Sequence, residues 1–326
     1  MKIQSISDHR ATGNLSEKHR NSSPETVNEL VVNWHVTEAC NYACRYCFSK
    51  WHPDIKGKKI IHDSTASRNL LGKIYHFFAP ENSETQSLLG MSWKTLRLSL
   101  AGGEPLLYSR KIVQLAKQAK GIGFNISLIT NGSLLTRPLM IDLAPRLSML
   151  GISIDSAQAS TNERTRRADK HSRVLSLQEL AGLIKQGRAL NSDLRIKINT
   201  VVNALNCTEN LIPLINALNP DKWKILRMLP TITHDLAVTD RQFSDFVDRH
   251  RMLAKIISVE DNNDMAGSYI MVDPQGHFFQ NSLSVTGYKY SEPILDIGIS
   301  AAFKHVQWQN GKFQARYHEN RSQEMV

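Results

Sequence analysis

The chain has 326 residues, of which 41% are apolar, with four cysteines and a formal net charge of +10. This length and composition allow one large α/β domain or two small ones, each with a sizeable core. No run of about 18 apolar residues and no apolar segment near the N-terminus is present, so the sequence predicts neither a membrane-spanning helix nor a signal peptide. We therefore expect a cytoplasmic protein with a flexible arm over residues 1–28.

Strand and helix patterns alternate along the chain after this arm. Strands are predicted at 29–37, 96–100, 125–130, 149–154, 194–202 and 223–229, and helices at 63–78, 109–120, 137–143, 176–190, 210–218 and 240–253. Six such βα units favour a parallel sheet with helices outside it, which right-handed crossovers curl into a partial (β/α)6 TIM-like barrel over residues 29–255. A hairpin at 268–279 turns at 274–276. Residues 256–326 are predicted to form a C-terminal extension that covers the active site.

Three cysteines follow the first predicted strand directly. Cys40, Cys44 and Cys47 have the spacing Cys-x3-Cys-x2-Cys, and an odd number of thiols does not fit a disulfide framework. Three thiolates in a short loop can hold three irons of a 4Fe-4S cluster and leave the fourth iron open for a cofactor. The fourth cysteine, Cys207, is predicted to be a free thiol. A zinc site remains an alternative, with His35 or His52 as the fourth ligand.

A second motif ends the second predicted strand. In Gly102-Gly103-Glu104-Pro105, the glycines let a ligand approach the backbone, and the carboxylate can pair with a cationic amine. Combined with the cysteine triplet and with Tyr46 before its last cysteine, this motif resembles the signature of radical S-adenosylmethionine (SAM) enzymes. The resemblance implies a 4Fe-4S cluster on the three cysteines. It also implies SAM bound at Tyr46, Gly102, Gly103 and Glu104.

A closer resemblance rests on motifs along most of the chain. They are Asn33-Trp34-His35-Val36-Thr37, Ser153-Ile154-Asp155-Ser156, the run Lys197 to Asn203, the run Ala217 to Lys224, Ser268-Tyr269 and Ile294-Leu295-Asp296-Ile297-Gly298. Over residues 29–312 this set resembles the prokaryotic branch of the viperin family. The resemblance implies a radical SAM dehydratase that converts a ribonucleoside triphosphate (CTP, UTP or GTP) to its 3′-deoxy-3′,4′-didehydro analogue. That product terminates polynucleotide chains in antiviral (phage) defence. An electron donor such as a flavodoxin or ferredoxin is also implied.

The viperin resemblance assigns roles to further residues. SAM would contact Ser153 and Arg167, and the base would contact Asn262. Tyr269 would be the catalytic residue near the ribose, and the other substrate-binding residues would be Asn33, Arg97, Lys197, Asn199, Lys222, Lys224 and Lys312. Elementary strand geometry agrees with part of this assignment, since Lys197 and Asn199, like Lys222 and Lys224, lie two residues apart and share a face. Cations inside a barrel need anions to compensate them, and a triphosphate would do so.

Two other functions remain open at this point. The first is a radical SAM enzyme that modifies a peptide or RNA, although only Cys207 lies outside the triplet, so a second cysteine-bound cluster is not expected. The second is a zinc-holding nucleic-acid-binding module, suggested by the net positive charge. The densest basic group, at 164–167, is short, and we expect neither a stable nucleic-acid partner nor a membrane partner. The preferred nucleobase, the reductant and the oligomeric state are not specified by the sequence.

Overall fold

The computed structural model describes residues 26–47, 59–171, 174–230, 233–265, 267–281 and 288–318. Most of the predicted arm, His52 and residues 319–326 lie outside this part of the chain. The described strands form a single sheet. They are β1 (Thr26–Thr37), β2 (Ser92–Gly102), β3 (Asn125–Thr130), β4 (Met149–Ser153), β5 (Arg195–Val202), β6 (Lys222–Arg227), β7 (Ile257–Glu260), β8 (Ile270–Val272), β9 (His277–Asn281) and β10 (Tyr288–Pro293).

The order of strands across the sheet is β10-β9-β8-β1-β2-β3-β4-β5-β6-β7. Strands β1 to β7 are parallel to their neighbours, and β8 adds a further parallel strand beside β1. Strands β9 and β10 are antiparallel to their neighbours. The chain therefore forms the expected partial TIM-like barrel, in which β7 ends one side of the sheet and β8 starts the other side next to β1.

Helices connect the parallel strands and cover the outer face of the sheet. They are α1 (Ser64–Phe78), α2 (Ser83–Leu89), α3 (Ser109–Ile122), α4 (Arg137–Leu143), α5 (Ala159–Arg164), α6 (Leu177–Leu190), α7 (Ile212–Leu218), α8 (Asp240–Arg249), α9 (Ile294–Ile297), α10 (Ile299–Phe303) and α11 (Asn310–His318). The Asp63 side chain caps α1 by accepting from the backbone N–H groups of Thr65 and Ala66, as its position in the sequence predicts. No helix within the described residues is both long and apolar enough to cross a membrane.

The two faces of the sheet have opposite character. On β1 the side chains of Leu30, Val32 and Trp34 are fully buried and belong to the hydrophobic core. The intervening residues Glu29 and Asn33 line a cavity on the inner face. Because successive side chains of a strand point to opposite faces, an apolar outer face leaves the inner face free to carry polar groups. The fold thus creates a polar interior.

The structure corrects several predicted boundaries of helices and strands and adds a strand, β7, that was not predicted. Strand β7 was not predicted, since it has only four residues and is separated by only three residues from a 3-10 turn at Arg251–Leu253. The helix predicted to end at residue 253 ends at Arg249, before that turn. Helix α3 continues to Ile122, beyond the predicted end at residue 120, and is capped by Gly123, whose φ of 125° suits glycine. Strand β1 begins at Thr26, inside the predicted arm.

The C-terminal extension occupies two places. Phe303 of α10 packs against Phe77, Phe78 and Phe278, with ring centroids 5.3–5.5 Å apart, which fixes α9 and α10 on the outer helical layer. The second place is near the start of β2, where the Trp308 indole N–H donates to the Leu89 carbonyl at 3.1 Å. Phe313 of α11 lines the inner cavity. That the extension covers the active site stays a prediction.

Candidate active site

The loop that carries the three cysteines packs closely on the end of β2. The Gly103 N–H donates to the Thr37 carbonyl at 2.7 Å, and the Glu104 N–H donates to the Ala39 carbonyl at 2.8 Å. A Cβ atom on Gly103 would lie 2.2 Å from the Ala39 oxygen, and one on Gly102 would lie 2.3 Å from the Thr37 oxygen. Only glycine allows this approach. The two glycines therefore fix the course of the cysteine loop.

Glu104 joins the ends of two strands. Its carboxylate is fully buried and accepts hydrogen bonds from the Leu106 N–H at 2.9 Å, the Thr130 hydroxyl at 2.7 Å and the Asn131 N–H at 2.7 Å. Burial raises the pKa of Glu104, and these hydrogen bonds oppose that shift. This carboxylate holds the β2 and β3 loops together, and its contact with SAM stays a prediction.

Polar N–H groups surround the cysteine sulfurs. The Tyr42 N–H points to Cys40 Sγ at 3.4 Å, the Asn131 amide to the same sulfur at 3.9 Å, and the Arg167 guanidinium to Cys44 Sγ at 3.8 Å. Burial raises the pKa of both thiols, and the charge of Arg167 lowers that of Cys44. Hydrogen bonds to the sulfurs are a feature of cysteine-ligated iron–sulfur clusters, so this donor set fits a 4Fe-4S cluster.

The zinc alternative named His35 or His52 as the fourth ligand, and His52 lies outside the described residues. Within the described ranges, no three His, Cys, Asp or Glu side chains converge on a point where a single metal ion could bind. His35 is buried edge-on against Phe279, and burial lowers the pKa of His35 to about 3. Cys207 is buried in the hydrophobic core, with its sulfur 3.8 Å from the Ala204 carbonyl oxygen.

A small cleft of about 90 Å³ lies beside the cysteine loop and contains residues predicted to bind SAM. Ser153 and Arg167 both line it. Arg167 pairs with Asp155 at 3.1 Å and donates to the Ser153 carbonyl, and the Tyr46 hydroxyl donates to the same Asp155 carboxylate. Arg166 is exposed, so Arg167 is the arginine of this cleft. Asp155 belongs to the Ser153-Ile154-Asp155-Ser156 motif, but the sequence analysis predicted no role for it.

A larger polar cavity of about 700 Å³ lies inside the partial barrel. It brings together many of the predicted substrate-binding residues, namely Asn33, Arg97, Lys197, Lys222, Lys224 and Tyr269. Asn199 is buried one step further along β5, on the same face as Lys197. Residues from strands as far apart in sequence as β1 and β6 thus converge, because parallel strands place their inner faces around one space.

Positive charge in this cavity is only partly compensated. Arg97 pairs with Glu29 at 2.9 Å, and Lys224 pairs with Glu260 at 2.5 Å. The Lys197 side chain forms no hydrogen bond or ion pair with any other described residue. Burial, followed by the charges of Lys224, Arg97 and Lys222, lowers the pKa of Lys197 well below its ordinary range. The cavity is therefore suited to an anion.

Besides Asn199, two other predicted substrate-binding residues, Asn262 and Lys312, are not among the residues that line the cavity. The Lys312 ammonium donates to the Asn263 carbonyl at 2.7 Å, whereas its neighbour Phe313 reaches the cavity. The Asn262 amide oxygen is buried and has no hydrogen-bond partner in the described part of the chain. Their proposed contacts with phosphate and base stay predictions. Glu29 and Glu260, which the sequence reading did not select, are the carboxylates that pair with the cavity cations.

Comparison with known proteins defines the class. Residues 34–185 match the Radical SAM superfamily. The solved structure of anSMEcpe with bound AdoMet has a similar fold, with a TM-score of 0.58, 14% identity, and coverage of 90% of this chain and 84% of that one. The barrel and its cysteine loop therefore belong to a radical SAM enzyme, a class that uses a 4Fe-4S cluster and SAM.

Sequence relatives narrow the class further. A protein from Pseudoalteromonas ulvae is 39% identical over 292 residues, which cover 90% of this chain and 94% of that protein. Another from Psychrobacter lutiphocae is 41% identical over 289 residues, covering 89% and 95%. Both are named S-adenosylmethionine-dependent nucleotide dehydratases. This chain belongs to that family, which confirms the resemblance to prokaryotic viperins.

Proposed function

We propose that the protein converts a ribonucleoside triphosphate (CTP, UTP or GTP) to its 3′-deoxy-3′,4′-didehydro analogue. The observation that carries this proposal is the cationic cavity inside a radical SAM barrel, with Lys197 uncompensated by any described residue. A triphosphate supplies negative charge in a compact form and so suits a buried group of cations. Membership in the nucleotide dehydratase family favours this reaction over modification of a peptide or RNA.

The triphosphate would be held by Arg97, Lys197, Lys222 and Lys224. Each offers charge-assisted hydrogen bonds, and their strands fix them around one space before the substrate arrives. Lys312 would approach the phosphates when Lys197 and its neighbours have bound them. The cations at the outer end of the cavity, which include Lys94, Arg195 and Lys255, would attract the nucleotide electrostatically.

The sugar would lie toward the cysteine loop, since Asn33 lines the cavity and β1 runs from there to Thr37. Asn33 and Asn199 would orient the ribose hydroxyls by hydrogen bonds, and Asn262 would contact the base. Tyr269 would act near the ribose as the catalytic residue, where its hydroxyl would supply the proton path or an ordering hydrogen bond. These residues position C4′ for hydrogen abstraction, which is the main task of the protein in such chemistry.

Cys40, Cys44 and Cys47 would hold the cluster. SAM would be bound by Tyr46, Ser153 and Arg167 together with the Gly102-Gly103-Glu104 turn. When bound, the cluster and SAM supply a reactive carbon-centred radical that can take a hydrogen atom from the substrate. Gly102 and Gly103 set the loop position, and the Arg167 guanidinium bridges the SAM cleft and Cys44.

Each turnover consumes SAM, two electrons and one proton, and it yields 5′-deoxyadenosine, methionine, water and the didehydro nucleotide. A small one-electron carrier such as a flavodoxin or ferredoxin would supply the electrons. The product lacks a 3′-hydroxyl, so a polymerase that incorporates it cannot extend the chain. This property supports a role in defence against phage within the cytoplasm.

The direct test is anaerobic incubation of the reconstituted protein with SAM, dithionite and each of the four ribonucleoside triphosphates. Mass spectrometry should find one nucleotide that has lost a molecule of water, with a matching amount of 5′-deoxyadenosine. The Cys44→Ala variant is the control and should form neither product. Formation of 5′-deoxyadenosine with all four nucleotides left intact would contradict the proposed substrate class.

A further inference from the structure

Glu260 occupies a position to which no function has been assigned. It ends β7, and its side chain is only 3% exposed. One carboxylate oxygen pairs with the Lys224 ammonium at 2.5 Å, and the other accepts from the Tyr269 hydroxyl. The Tyr269 hydroxyl also accepts a hydrogen bond from the Lys224 ammonium, which lies 5.1 Å from the centre of the Tyr269 ring. The three side chains thus form a closed ring of hydrogen bonds on the cavity wall.

The topology explains why this ring matters. Strand β7 is the last strand on one side of the sheet, and β8 lies on the other side, next to β1. Glu260 is the last residue of β7, and Tyr269 directly precedes β8. The Tyr269–Glu260 hydrogen bond therefore joins the start of the C-terminal extension to the barrel core. It is a link that the backbone ladder between neighbouring strands does not supply.

We propose that Glu260 is a positioning residue that fixes Tyr269, and with it Lys224, for the reaction proposed above, on which this inference rests. A tyrosine hydroxyl rotates to suit its partners. With an ammonium donating to its oxygen and a carboxylate accepting its proton, the Tyr269 hydroxyl is held in one orientation. Charge-assisted hydrogen bonds such as these are about twice as strong as neutral ones.

Glu260 also fixes the Lys224 ammonium on the cavity wall. A lysine ammonium has three N–H donors, of which Glu260 and Tyr269 accept two. The same carboxylate therefore contacts both the catalytic tyrosine and one of the cations proposed to hold the phosphates.

The test compares Glu260→Gln, Tyr269→Phe and the double variant in steady-state dehydration of the active triphosphate. Gln keeps the volume and removes the charge, so we expect kcat to fall at least tenfold and KM to change less than threefold. The double variant should have a kcat within about threefold of Tyr269→Phe, because Glu260 acts through Tyr269 and such effects are not additive. A wild-type kcat in Glu260→Gln would overturn the proposal. The proposal would also be overturned if the fold-loss of kcat in the double variant equalled the product of the fold-losses in the two single variants.

Glu29→Gln is the matched control, since Glu29 is the other buried carboxylate that pairs with a cavity cation. In the double variant Glu29→Gln, Tyr269→Phe, the fold-changes in kcat of the two single variants should multiply. A second readout does not require turnover. In protein labelled with ¹³Cζ-tyrosine, the resonance that disappears in Tyr269→Phe should shift in Glu260→Gln and stay in place in Glu29→Gln. An unshifted resonance would overturn the inference, whereas absence of dehydration in the wild type would overturn only the proposed function.

Discussion

Replacing Lys197 with Met should weaken nucleotide binding in a specific way. Met keeps the length of the side chain and removes a cavity cation whose side chain makes no hydrogen bond or ion pair with the described residues. Loss of a charge-assisted hydrogen bond costs about 1.5–3 kcal/mol, which corresponds to a rise in Kd of roughly 10- to 150-fold. The folded protein should not lose stability, because the Lys197 side chain has no hydrogen bond or ion pair with another described residue to lose.

Because the pKa of Lys197 is lowered in the free protein, we also expect nucleotide binding to take up a proton. Burial disfavours the charged form, so above its lowered pKa the lysine of the free protein is largely neutral. A bound triphosphate raises that pKa again, and binding therefore takes up a proton at any pH between the free and bound values. Affinity should fall as pH rises through this window. Below the pKa that Lys197 has in the free protein, Lys197 is already charged, and binding no longer takes up a proton at this residue.

Calorimetry without SAM can measure both effects. Titration of CTP, UTP and GTP at a series of pH values from about 7.5 upward, in two amine buffers of different ionisation enthalpy, gives Kd and the number of protons taken up at each pH. Over that range the terminal phosphate is already ionised, since its pKa is about 6, so it contributes little. The exposed Lys185 provides the control variant Lys185→Met. Unchanged affinity and unchanged proton uptake in Lys197→Met would refute the assignment of this lysine to the phosphates.

Three further predictions concern the cysteine loop and the SAM cleft. Cys207→Ala should keep the iron content and visible absorbance of the reconstituted protein, whereas Ala at Cys40, Cys44 or Cys47 should abolish both, because the cluster loses a thiolate that it cannot replace. Gly103→Ala should lower the melting temperature and the iron content, because its Cβ would lie 2.2 Å from the Ala39 oxygen and overpacking costs about 1–3 kcal/mol. Gly121→Ala is the control and should change neither, since a Cβ on Gly121 has no atom within 4 Å. Arg167→Ala should weaken SAM binding in equilibrium dialysis at least tenfold, and the exposed Arg166→Ala should not; equal effects of the two would contradict the placement of Arg167.

Local patterns made much of the site predictable from sequence. The cysteine triplet and the double glycine are short motifs, and the structure brings them together because they follow neighbouring parallel strands. Same-face pairs such as Lys222 and Lys224 follow from the two-residue period of a strand, and both line the cavity. The sequence alone therefore indicates that the interior of the barrel is cationic.

The residues that sequence reading missed are defined by partners far along the chain. Glu29 pairs with Arg97 on the next strand, and Glu260 pairs with Lys224 across β6 and β7. Strand β7 itself was not predicted, so its last residue could not be assigned to the inner face. A buried carboxylate carries no local signature, because its charge is allowed only by a cation that tertiary structure supplies.

The central claim is that this protein abstracts hydrogen from C4′ of a ribonucleoside triphosphate. Anaerobic turnover with the active triphosphate deuterated at C4′ tests it most directly, with the mass of 5′-deoxyadenosine as the readout. We predict that one deuterium appears in 5′-deoxyadenosine from the C4′-labelled substrate and none from substrates labelled at C2′ or C3′. Transfer from C3′ with none from C4′ would contradict the proposed reaction.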